Sequence, residues 1–128
     1  MSLLPNLAIV ALGGAIGSCM RYGLGLIEAF STTKGLSTFI ANVLGCFIIG
    51  VMYSLFAKWQ IGDQWRLLIF IGVLGGFTTF STYSLDAITM MRGGEWAKAL
   101  AYVGATNIGG FAATAIGIWL TNLIIKSA

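Results

Sequence analysis

The chain has 128 residues, 58% of them hydrophobic and 9% charged, with a mean hydropathy of +0.92. Soluble domains carry about a quarter charged residues, so the composition points to an integral membrane protein, and the length leaves no room for an added soluble catalytic module. The net charge of +3 is scattered along the chain, which argues against nucleic acid as a partner.

Four apolar runs predict a single integral membrane domain over residues 1–128, with spans at about 4–27, 38–56, 67–91 and 96–125. No Lys or Arg precedes the first run and Gly13-Gly14 sits inside it, so a cleaved signal peptide is not expected. Gly13 and Gly17 lie four apart, which suits close helix packing. Arg21, near the end of this span, is expensive in lipid and must snorkel to the interface or find a partner. Phe30 to Ser37 reads as the first turn.

In the second span Asn42 precedes Gly45 by three residues. An unpaired amide in hydrocarbon costs a few kcal/mol, so Asn42 either bridges helices or offers its N–H₂ to a polar path. The Lys58–Arg66 loop is flanked by Trp59 and Trp65, as expected at a membrane interface. Cys19 and Cys46 have no metal-type spacing and read as small buried hydrophobes.

The third run contains Gly75-Gly76-Phe77-Thr78-Thr79-Phe80-Ser81-Thr82-Tyr83. Paired glycines lower helix propensity, and the Ser and Thr side chains compete for their own backbone. Residues 67–91 would measure about 37 Å if helical throughout, longer than a hydrocarbon core of about 30 Å. One reading is a span broken near its middle, with an ion or substrate site at the break. The other is a continuous helix whose small residues allow close packing. Arg92-Gly93-Gly94-Glu95 forms the last turn. In the fourth span Thr106, Gly110 and Thr114 share a face, as a packing stripe or a polar lining.

With four spans, Lys58, Arg66 and Lys126 fall on one side of the membrane, and Lys34, Arg92, Lys98 and a snorkelling Arg21 on the other. The positive-inside rule has almost nothing to act on, which suggests an antiparallel homodimer of oppositely inserted copies. The chain has no His, and of Glu28, Asp63, Asp86 and Glu95 only Asp86 falls within a span, on the same face as Arg21 and therefore able to pair with it. No nucleophile–base pair, metal cluster or phosphate loop is present, so an enzyme is not expected. Neutral donors such as Asn42, Thr78, Thr79, Ser81 and Thr82 favour an anion or a neutral polar solute over a cation. Phe80 and Tyr83, three apart, can present electropositive ring edges to a narrow path or simply pack.

The nonapeptide at residues 75–83 resembles the signature of the Fluc (CrcB-type) fluoride channels. Gly13-Gly14-Ala15-Ile16-Gly17-Ser18-Cys19-Met20-Arg21-Tyr22 resembles that family's first-helix motif, and Asn42-Val43-Leu44-Gly45 its second. The resemblance implies an all-α fold of four transmembrane helices with the third broken, assembled as an antiparallel dual-topology homodimer. It implies passive, selective export of fluoride across a bacterial inner membrane through two pores. By position it assigns Phe80, Tyr83, Asn42, Ser81 and Thr82 to the fluoride pathway. It also implies a central structural Na⁺ held by the backbone carbonyls of Gly75 and Thr78, with Arg21 in a structural or vestibule role. The family pattern has Phe where this chain has Tyr83, whose added hydroxyl would donate to fluoride or narrow the pore. A small multidrug-type antiporter would want a carboxylate in the first span, which has none, and a scaffold subunit would not need a broken helix.

Overall fold

The structure is a computed structural model that describes residues 3–30 and 33–127. Helix α1 spans Leu3–Gly25 and carries Pro5 in its first turn, where a missing N–H leaves no helical bond unmade. It tightens into a 3₁₀ turn, Leu26–Phe30. Of the expected first turn, Ser31 and Thr32 lie outside the described residues. Gly35 adopts φ 85°, a left-handed conformation open to glycine, and leads into α2, Leu36–Trp59. Glu28 anchors this junction, its carboxylate accepting from Ser37 N at 2.9 Å and Ser37 Oγ at 2.8 Å. An anion beside free N–H groups at a helix start is favourable. Helix α2 runs past residue 56 and stops at Gln60, whose N–H returns to Phe56 O.

The third segment is composite. A short α3, Asp63–Arg66, opens into a π-helical stretch, Leu67–Leu74, then α4, Gly75–Phe77. Residues 78–80 are not helical, Thr78 being extended at φ −88°, ψ 157°, and α5 covers Ser81–Arg92. The turn beyond it closes with Glu95 N on Met90 O at 2.9 Å, and α6 spans Trp96–Ser127. Four helical stretches are long and apolar enough to cross a membrane: Leu3–Phe30, Leu36–Trp59, Asp63–Arg92 and Trp96–Lys126.

Without a hydrophobic drive between helices in lipid, close approach at small residues does the packing. Helix α1 lies on the third segment through Gly13 and Gly72, where a Cβ on either would stand 2.8 Å from the other's Cα. Helices α2 and α6 meet at Gly50, whose Cβ would strike the Thr114 carbonyl, and at Gly117, which faces Phe47 O. Tyr83, Ala87 and Met90 of α5 pack with Ala99 and Tyr102 of α6 as the buried cluster. Large apolar side chains such as Leu4, Ile108 and Phe111 point outward, the reverse of a soluble protein.

Candidate functional site

The site grows from one backbone event at the end of α4. Thr78 N and Thr78 Oγ1 both donate to Leu74 O, at 3.0 and 2.9 Å, completing the last turn before the chain extends. Thr79 then leaves the helix, and Asn42 of α2 takes over its backbone. Asn42 Oδ1 accepts from Thr79 N at 2.8 Å, and Asn42 Nδ2 donates to Thr79 O at 3.0 Å. The amide thus bridges α2 to the third segment through both backbone polar groups of Thr79. Thr79 Oγ1 accepts from Thr82 N at 3.2 Å and so caps α5.

These bonds release two carbonyls. In a continuous helix Gly75 O would accept from Thr79 N, and Thr78 O from Thr82 N. Both donors are committed to side-chain oxygens, so neither carbonyl has its helical partner among the described residues. The Gly76 carbonyl receives Arg21 Nε at a long 3.4 Å. The described residues hold no cluster of three or more His, Cys, Asp or Glu able to bind a metal.

A groove of about 350 Å³ opens beside the break. Asn42, Gly75, Thr78, Thr79, Phe80 and Tyr83 border it, joined by Thr106, Asn107 and Phe111 of α6. Among the described residues, no carboxylate or cationic side chain borders it. The Phe80 and Tyr83 rings meet edge-on, centroids 5.7 Å apart at 65°. Phe80 is 79% exposed, while Tyr83 is buried. Asn107 Nδ2 donates to Tyr83 Oη at 2.8 Å. The Thr106 hydroxyl is buried without a hydrogen-bond partner among the described residues.

The remaining sequence candidates lie elsewhere. Ser81 does not border the groove; its hydroxyl stands 3.4 Å from that of Thr79. Thr82 and Arg21 border a second hollow of about 340 Å³, together with Glu28, Thr38 and Asp86. The expected Arg21–Asp86 pair does not form: Lys98–Glu95 is the one ion pair among the described residues. Asp86 instead accepts from Tyr102 Oη at 3.3 Å, because α6 rather than α1 packs against that turn of α5. The Thr106–Gly110–Thr114 stripe divides. Thr106 and Gly110 border the groove, whereas Thr114 Oγ1 donates to Cys46 O at 3.0 Å and closes α6 on α2. Asn107, one of the neutral hydrogen-bonding groups that the sequence places in the spans, is not among the pathway residues the resemblance assigns, yet it borders the groove.

The family model described as "CrcB-like protein, Camphor Resistance (CrcB)" matches residues 8–118. A Helicobacter pylori protein named "Fluoride-specific ion channel FluC" is 44% identical over 118 residues, covering 86% of this chain and 88% of the relative. A Chloroflexus aurantiacus protein of the same name is 40% identical over 118 residues, covering 90% of this chain and 94% of that one. A third from Helicobacter acinonychis is 43% identical, covering 86% and 90%. These relatives are named as ion channels, not enzymes. With four membrane-length helices, a matched family model and relatives aligned over most of their length, this chain is a multi-pass membrane protein that belongs to the CrcB-like family.

Proposed function

We propose that this chain is a passive fluoride channel of the bacterial inner membrane, exporting F⁻ and so protecting the cell from fluoride. The observation that carries the reading is the groove at the interrupted third span. Its polar groups are all neutral, and the Phe80–Tyr83 pair lies edge-on beside them. A small anion stripped of water gains from N–H and O–H donors and from electropositive ring edges, while a path without carboxylates gives a cation little. Asn42, Phe80 and Tyr83 form this part of the pathway. Ser81 and Thr82 carry hydroxyls from the break toward the second hollow, where Arg21 lies with the carboxylates of Glu28 and Asp86.

The proposed assembly is an antiparallel, dual-topology homodimer with two pores. The even split of basic residues supports it, as does the open groove, whose Phe80 and Phe111 are 79% and 77% exposed. A second copy would cover these rings and wall the path. At the dimer centre we place a structural Na⁺. The donor chemistry fits, since hard cations take oxygen ligands and the Gly75 and Thr78 carbonyls lack helical donors. When bound, the ion would supply the charge that ties the two breaks together.

Fluoride efflux from liposomes containing the purified protein, read by a fluoride electrode beside chloride-loaded controls, tests the proposal. Rapid fluoride release with chloride retained is expected; release of both ions, or of neither, refutes a selective fluoride channel.

A further inference from the structure

We infer that Asn107 is a positioning residue that holds the Tyr83 hydroxyl on α6, so that Tyr83 meets the groove as a ring edge and not as a hydroxyl donor. The inference rests on the fluoride-channel reading and deepens it at the position where this chain departs from the resembled pattern. The amide of Asn107 has two N–H groups, and both are used. One donates to Tyr83 Oη at 2.8 Å and the other to Val103 O at 2.9 Å. The Val103 carbonyl settles which end of the amide is nitrogen, because an amide oxygen there would face another acceptor. Tyr83 Oη accepts from Asn107 and directs its own hydrogen to Val103 O, at 3.4 Å. Two α6 groups one turn apart thus engage both the lone pair and the proton of the phenol.

The ring itself has little freedom. Tyr83 is 7% exposed and packs between Phe80, at 5.7 Å and 65°, and Tyr102, at 5.3 Å and 57°. Tyr83 thus borders the groove with its hydroxyl already bonded to Asn107 and Val103. That matters for a conducted ion. A free phenolic O–H facing fluoride would form a charge-assisted bond, roughly twice as strong as a neutral one. Conduction needs binding weak enough to let the ion leave. By engaging the hydroxyl, Asn107 lets a tyrosine serve where the resembled pattern has phenylalanine.

The test compares fluoride efflux for the native protein, Tyr83→Phe, Asn107→Val and the double variant. Asn107→Val should lower native flux about tenfold or more, one decade corresponding to about 1.4 kcal/mol. The same change made in Tyr83→Phe should cost little, since the hydroxyl it would free is already gone. A merely structural defect in α6 would lower flux equally in both backgrounds, so a loss of about tenfold on adding Asn107→Val to Tyr83→Phe overturns the inference, as does unchanged flux in Asn107→Val alone. Should the native protein pass no fluoride, the channel reading falls separately. The tether is then read by NMR of ¹³Cζ-labelled tyrosine, with the Tyr83 resonance identified by its loss in Tyr83→Phe. That resonance should shift in Asn107→Val, and an unmoved resonance overturns the tether.

Discussion

Asn42 shows how much one side chain can decide. Its two bonds to Thr79 replace the helical bonds that residue gives up, so the N–H and C=O of Thr79 are satisfied without water. Asn42→Ala would strand an N–H and a C=O of Thr79, at roughly 1–3 kcal/mol for each unsatisfied group. The expected result is a clear drop in thermal stability by detergent-phase melting together with loss of most fluoride flux. A variant that melts and conducts like the native protein would show that the break is held by other means. Thr79→Val probes the same few ångströms differently. It removes the cap on Thr82 N, which should cost about 1 kcal/mol, while leaving the Asn42 bridge in place. Melting of Thr79→Val should therefore shift less than that of Asn42→Ala.

At the scale of elements, the architecture depends on where helices can touch. A Cβ on Gly17 would run into the Val73 carbonyl and come within 2.8 Å of Phe77 N, both backbone atoms that cannot step aside. Gly23, six residues along the same helix, has open space at its Cβ position. Gly17→Ala should therefore disturb α1 against α4 and yield protein that aggregates on size-exclusion chromatography. Gly23→Ala should elute normally and gain about 0.5–1 kcal/mol of helix stability. Equal behaviour of the two variants would contradict this packing. Two neighbouring glycine-rich stretches thus have different duties: Gly13 and Gly17 set an interhelical distance, whereas Gly75 and Gly76 lie where the third segment ends its helix.

For the whole molecule, the open groove and the balanced Lys and Arg distribution lead to one expectation. C-terminal fusions to reporters active on opposite sides of the membrane should both give signal, and cross-linking should trap two copies rather than more. A single fixed orientation would remove the antiparallel dimer from the proposal. If Na⁺ joins the two breaks, prolonged exchange into a bulky organic cation should lower fluoride flux, with recovery on adding Na⁺ back. Flux indifferent to that exchange would leave the Gly75 and Thr78 carbonyls without the proposed role.

The membrane class and the four apolar segments are legible in the residues alone, because hydropathy and length are local quantities that lipid reads directly. The weak helix propensity and competing hydroxyls of residues 75–83 left an interrupted and a continuous third span both open, and the same residues carried the family resemblance. Partnerships were not legible. Asn42 finds Thr79 across 37 positions, Thr114 finds the Cys46 carbonyl across 68, and Asn107 finds Tyr83 across 24. Asp86 faces Tyr102, not the Arg21 that charge alone suggested. A lone amide or hydroxyl in an apolar helix announces that it needs a partner, since leaving it unpaired in lipid costs several kcal/mol. Which partner it receives depends on the rotation and depth of each helix against its neighbours. Those are set jointly by all the close contacts between helices, which no single span encodes.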